Sequence, residues 1–329
     1  MNGERPVVRS SGRPVVEWQP HATVDTLQER ARLVGRVRSF FSGRDVLEVE
    51  VPVLQGGANL DPSIAPLAVE VHDGRRWLPT SPEHPLKRLV AAGYGDVWAL
   101  HPAFRFGEVS RRHQPEFRML EWYRVGWDDA QLLPEVIALL DDLTGFGGGC
   151  ETTSWREALR MHGGIDPLTA SDAAWMAALG PSHSAVLVNG LIDRDLAADL
   201  LFSERVEPAL GRGHWTAITG YPVRLAAQAR IRTGSDGLPV TGRFEIYRDG
   251  IELANGYHEL TDADELAARL AAEQARRADA PARDLRFEGA IAAGLPDCAG
   301  VAVGFDRVVM LALGLPDVAT TMAFPWGRA

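Results

Sequence analysis

Apolar residues recur at helical spacing at Leu27, Ala31, Val34, Val37 and Phe41, with Thr23 or Asp25 placed to cap the start and Gly43 to close the end. The period then falls to two. Val46-Leu47-Glu48-Val49-Glu50-Val51 alternates and stops at Pro52, which predicts a strand. Residues 97–100 and 119–125 read as two further strands around an arginine-rich loop, and residues 78–83 as a short strand. A helix over 84–92 follows, with Pro85 tolerated in its first turn and Gly93 at its end. Residues 132–143 predict a helix, 145–149 a glycine break, and 155–162, 170–179 and 196–206 three shorter helices. Residues 214–218 read as a strand. Thr261 is placed to cap an Ala-rich helix running to about Asp279. A strand over 297–303 then leads to a helix that Gly304 opens and that continues through Leu313. Residues 1–22, rich in Pro, Arg and Ser without periodicity, read as an extended N-terminal arm, with one domain over 23–329.

The strongest local signal is Asp249-Gly250 between alternating residues, the mark of a tight hairpin. A two-residue turn pairs Arg248 with Ile251, Tyr247 with Glu252 and Glu245 with Ala254, so Glu245, Tyr247, Glu252 and Ala254 share one face. The two carboxylates then lie roughly 6–8 Å apart at their β-carbons. Like charges that close repel, and a Mg²⁺ ion that draws its other ligands from phosphates resolves the conflict. An exposed sheet with both acids in water fits the same pattern.

The loop between the two central strands favours the first reading. Phe104-Arg105-Phe106-Gly107-Glu108-Val109-Ser110-Arg111-Arg112-His113-Gln114-Pro115-Glu116-Phe117 interleaves guanidiniums with flat rings, which suits a nucleotide phosphate and its base. A formal net charge of −10 argues against a broad surface for nucleic acid, so the basic site is local. Cys150 and Cys298 lack metal-site spacing. They admit one disulfide, but in a reducing cytosol they read as two free buried thiols. No leader-like start and no membrane-length apolar run is present, which predicts a soluble cytoplasmic protein. His101, His113 and His258 have no ligand spacing and read as ordinary polar residues.

Arg105, the run His113-Gln114-Pro115-Glu116-Phe117 and Glu121-Trp122-Tyr123 resemble motif 2 of class II aminoacyl-tRNA synthetases of the lysine type. With Thr80-Ser81-Pro82-Glu83 and Gly250-Ile251-Glu252-Leu253-Ala254-Asn255-Gly256, the match resembles the truncated lysine-ligase branch that modifies elongation factor P. The resemblance implies an α+β fold with an antiparallel sheet flanked by helices. It implies a homodimer formed through the first helix and strand, and ATP with Mg²⁺ on Glu245 and Glu252. Arg105 and Arg307 would be the catalytic arginines, within an ATP-binding set of Arg105, Gln114, Phe117, Glu252, Leu253, Gly304 and Arg307. Ser81, Pro82, Glu83, Glu121, Tyr123, Glu259 and Ala302 would bind lysine or β-lysine, with Glu121, Tyr123 and Glu259 on the side-chain ammonium and Glu83 on the α-ammonium. A plain helix cap is the other use for Ser81 and Glu83. Ala302 stands where lysyl-tRNA synthetases carry Gly, which the resemblance links to a β-amino acid.

Three positions depart from the family pattern. Phe106 and Gly107 replace Asn and the Glu that helps recognise adenine, and Gln114 replaces Asn. Glu108 sits one residue late, and on a strand that slip would turn it to the opposite face. Only 22 residues precede the first helix, too few for an anticodon-binding barrel, so a lysine of elongation factor P is the expected acceptor rather than tRNA. A stand-alone ligase acting on a small amine or carrier protein, and a non-catalytic amino-acid-binding paralogue, are the alternatives.

Overall fold

The computed structural model describes residues 18–61, 64–180, 187–188, 191–276 and 280–329. Most of the expected N-terminal arm, and the end of the helix expected to reach Asp279, lie outside them. An eight-stranded sheet organises the chain. We number its strands β1 (Leu47–Glu48), β2 (Val97–Phe104), β3 (Glu116–Val125), β4 (Cys150–Ser154), β5 (Trp215–Thr219), β6 (Arg243–Arg248), β7 (Ile251–His258) and β8 (Cys298–Gly304). Their spatial order is β1-β2-β3-β8-β7-β6-β5-β4, antiparallel throughout the centre and parallel in the outer pair at each edge. The helices used below are α1 (Val24–Ser42), α2 (Glu83–Ala91), α3 (Asp129–Thr144), α4 (Ala263–Ala275), α5 (Leu285–Gly294) and α6 (Phe305–Ala312).

The helix ends follow local chemistry. Thr23 caps α1 through a bond from the Thr26 amide, 3.1 Å. A reciprocal box of Asp128 and Gln131 opens α3, which closes on the left-handed Gly145. Asp262, rather than Thr261, caps α4. Two expected strands shrink. Only Leu47–Glu48 of the first alternating run pairs with the sheet, and of residues 78–83 the first five form an irregular bend and Glu83 already starts α2, instead of a strand.

Alternation divides the sheet into two faces. Leu120, Trp122, Phe244, Ile246, Val301 and Val303 face α1, α3 and α6, and with Phe41, Trp98, Leu139 and Phe305 they form the main core. The opposite residues of the same strands, Phe117, Met119, Glu121 and Tyr123 on β3 and Gly300 and Ala302 on β8, face a cavity. A smaller core of Leu86, Val90, Phe287, Ile291, Leu266 and Leu270 packs α2, α4 and α5 beside that cavity.

The hairpin departs from the simple register. Tyr247 pairs with Glu252 and Arg248 with Ile251 as expected, but Ile246 pairs with Ala254 and Glu245 with Asn255. Leu253 is the extra residue of a bulge. It and Ala254 both enter the core, so Ala254 does not share a face with Glu252. The bulge resets the alternation, bringing Asn255, Tyr257 and Glu259 to the same cavity as Glu252.

Candidate active site

One cavity of about 400 Å³ lies on the open face of the central strands. Ser81, Glu83, Arg105, Gln114, Phe117, Glu121, Tyr123, Glu245, Glu252, Leu253, Glu259, Ala302, Gly304 and Arg307 all line it. Pro82 does not. It occupies the start of α2, between Ser81 and Glu83.

The basic end is built around Arg307 in the first turn of α6. Its Nη1 donates to the Glu252 carbonyl at 2.7 Å, its Nε to the Arg112 carbonyl at 3.2 Å, and its Nη2 to His113 Nε2 at 2.6 Å. Because a guanidinium can only donate, His113 accepts on Nε2, leaving Nδ1 to bond the Ser110 hydroxyl at 2.8 Å. Burial, reinforced by Arg307, lowers the His113 pKa, as this neutral tautomer requires. Arg112 reaches the Gly250 carbonyl at 2.7 Å and ties the loop to the hairpin turn. Arg105 lies over the Phe117 ring, 5.2 Å from its centroid, with its buried Nε unpaired. Gln114 is buried, its Oε1 accepting from the Trp326 amide at 2.9 Å.

Strand β2 ends at Phe104, so residues 105–108 lie in a turn, with Gly107 at φ +78°. Strand alternation therefore does not govern Glu108, and the expectation that its face excludes it fails. Glu108 lines the cavity, 4.0 Å from Arg105, while Phe106 points outward.

The two hairpin carboxylates differ. Glu245 already accepts from Tyr221 at 2.6 Å, from Tyr247 at 2.5 Å and from Arg243. Glu252 looks into the cavity with 40% of its side chain accessible, and Arg307 stands 4.0 Å away. Burial and then Glu245 raise the Glu252 pKa, and burial with both acids pushes Glu207, a third carboxylate nearby, up to about 7. A cation relieves such a cluster. Among the described residues no group of three His, Cys, Asp or Glu side chains is set to hold a metal alone. The pair therefore fits an ion that arrives with phosphate ligands.

At the other end the walls turn acidic. Glu121 accepts from Ser81 and, at 2.7 Å, from Tyr123. Burial, helped by Glu83, pushes its carboxyl up to about 8. Burial pushes Glu259 up to about 7 in spite of Lys87. The Lys87 ammonium is 2.6 Å from Glu83 Oε1 and 2.6 Å from Glu259 Oε2. Gly300 leaves room beside them, since a β-carbon there would sit 2.3 Å from Tyr123 and 2.5 Å from Glu259. Ala302 pairs with Glu121 on one side and Asn255 on the other, so its methyl forms the floor between the two ends.

The cavity thus carries guanidiniums at one end and an acid-lined slot at the other. The family of class II tRNA synthetases (D, K and N) matches residues 13–328. This chain belongs to that family. It is 41% identical over 322 residues, 95% of its length and 98% of theirs, to proteins from Salmonella dublin, Salmonella heidelberg and Salmonella agona, each named elongation factor P--(R)-beta-lysine ligase. The α+β architecture agrees with the family fold. Among the described residues no helix is long and apolar enough to cross a membrane. Both cysteines are free, Cys298 buried and Cys150 only half-buried.

The sequence reading missed Lys87, Arg112, Arg243, Asn255 and Tyr257, and gave His113 no role. Lys87 carried one signal, its i,i+4 spacing from Glu83, which on a solvated helix is ordinary. For Asn255 and Tyr257 the unbulged register pointed the wrong way.

Proposed function

We propose that this protein is an ATP-dependent ligase that activates lysine or β-lysine as an aminoacyl-adenylate and transfers it to a lysine side chain of elongation factor P. The observation that carries the reading is the presence, in one cavity, of Arg105 and Arg307 at one end and Glu83, Glu121 and Glu259 at the other. The names of the Salmonella relatives support the same substrates.

In the first step an oxygen of the substrate carboxylate forms a bond to the α-phosphorus of ATP, and the bond to the bridging oxygen breaks, releasing pyrophosphate. Arg105 and Arg307 face the charge that grows on the phosphates, and fixed guanidiniums need no reorganisation as it grows. Glu121, Tyr123 and Glu259 hold the side-chain ammonium and Glu83 the α-ammonium, and so aim the carboxylate. Positioning of this kind is worth about 7–11 kcal/mol at best. Glu252, with Glu245 behind it, would hold Mg²⁺, which neutralises phosphate charge and orients the leaving group. In the second step the acceptor amine attacks the acyl carbon, AMP leaves and the amine gives up a proton.

Glu108 takes the place in the wall that Gly107 leaves without a carboxylate, which supports retained use of ATP. The methyl of Ala302 beneath the amino-acid end supports β-lysine as the better substrate. The proposal includes a cytoplasmic homodimer through α1 and β1, where Val24 and Leu47 are exposed, and no part in reading tRNA anticodons. Pyrophosphate–ATP exchange across a panel of amino acids tests the first step, and labelled lysine or β-lysine on purified elongation factor P tests the second. Stimulation by neither amino acid, with binding retained, overturns the reading in favour of a binding paralogue. Label on small amines alone points to a stand-alone ligase.

A further inference from the structure

Lys87 lies behind the cavity wall, 1% accessible at its side chain, against Glu83 and Glu259, which line the amine slot. Its ammonium takes one oxygen of Glu83 and one of Glu259, and donates at 3.0 Å to Gln228 Oε1. Glu83 and Gln228 take hydrogen bonds from it, and Glu259 pairs with it as a close ion contact. Nothing in the adenylation chemistry uses it, and its removal alone would leave two buried carboxylates unpaired.

The charges around it explain its presence. On its own helix Lys87 meets Glu83, followed by His84, whose ring stands 3.4 Å from Asp284, the cap of α5. From β3 it feels Glu121, with Tyr123 bonded to that acid. Glu259 also feels Arg230, and Cys298 of β8 lies in the same field. Glu83 in turn, after burial and Asp61, helps to raise Glu273 of α4, which lines the cavity. With Glu83, Glu121 and Glu259 ionised and Lys87 charged, the slot carries a formal −2, from three carboxylates and one ammonium. Two ammonium groups on one substrate match that charge. A single amine leaves a buried carboxylate uncompensated.

We propose that Lys87 is a positioning residue that fixes Glu83 and Glu259 and, once substrate is bound, sets the net charge of the slot to two, so that the site selects a diamino acid. This inference rests on the proposed substrate class. Burial pushes Glu83 up, and Lys87 with His84 more than reverses it, leaving the carboxyl below its ordinary value. Burial likewise works against the Lys87 ammonium, and Glu259 with Glu83 carry it above the ordinary lysine range.

The test is calorimetric affinity for lysine, with exchange kinetics alongside, from acid to alkaline pH for the full-length wild type, Lys87→Gln and Lys87→Arg. Lys87→Gln keeps hydrogen-bond donors and removes the charge. It is expected to move the acid limb of lysine binding up by about one pH unit or more, to weaken binding near neutral pH about 10-fold, and to leave kcat within about 3-fold. Lys87→Arg is expected to keep the wild-type limb. A Lys87→Gln profile that overlays the wild type overturns the inference. So does a loss of kcat, affinity and melting temperature together in both variants, which is the pattern of a structural role. Absence of lysine-dependent exchange in the wild type defeats the proposed function separately, because the binding profiles remain readable.

Discussion

Arg307 donates to the main-chain carbonyl of Glu252 at 2.7 Å while the Glu252 carboxylate stands 4.0 Å from the same guanidinium. The arginine is thus locked by backbone and by His113, and the carboxylate stays available to a ligand. Helix α6 and the hairpin are joined through this contact.

Arg307→Lys removes a planar fork that bonds three acceptors in two directions, and a lysine cannot reproduce it. We expect kcat for pyrophosphate exchange to fall about 10²- to 10³-fold, the scale seen when one preorganised donor to a charged transition state is lost. The melting temperature should change little. An unaltered kcat in steady-state exchange would remove Arg307 from the chemistry.

Binding of lysine should tighten as pH rises. Burial holds Glu121 up at about 8 and Glu259 at about 7, so both are partly protonated in the free protein at neutral pH. A substrate ammonium needs the ionised forms, so binding expels protons, and affinity is lost as pH falls through these values. Calorimetry at about pH 7 in buffers of different ionisation heat should show net proton release, about one per lysine bound. Net proton uptake would contradict the assignment of these acids to the amine.

Gly300→Ala and Gly256→Ala separate site from core. A β-carbon on Gly300 meets Tyr123 at 2.3 Å and Glu259 at 2.5 Å, whereas one on Gly256 meets the Phe244 ring at 2.2 Å. The first should weaken lysine binding by more than about 10-fold. The second should cost about 1–3 kcal/mol of stability by overpacking, read in denaturant titrations. If the two variants behave alike, the division of the sheet into a site face and a core face is wrong.

Glu108→Ala should raise KM for ATP by about 5- to 10-fold, in the range of one hydrogen bond, and leave KM for lysine in place. A double variant with Gly107→Glu, which restores a carboxylate at the preceding position, should not recover it fully, because Gly107 is left-handed at φ +78°. Full recovery would show that the loop repacks freely.

The sequence determined much of this. Local spacing marked most helices within a few residues, the Asp249-Gly250 turn set the hairpin, and separated motifs placed the chain in its family. Through that family resemblance it also nominated the carboxylates and arginines that share the cavity, whereas residue type and spacing alone left the hairpin acids equally suited to an exposed sheet. Only the tertiary structure decided where alternation fails. The bulge at Leu253 depends on core packing on the far face of the sheet, and it turns Asn255, Tyr257 and Glu259 toward the same cavity as Glu252. The end of β2 at Phe104 likewise frees Glu108 from the strand register. Lys87 shows the deeper limit. A lysine four residues after a glutamate looks the same in sequence whether water or two buried carboxylates receive it, and only long-range folding brings Glu259 to within 2.6 Å.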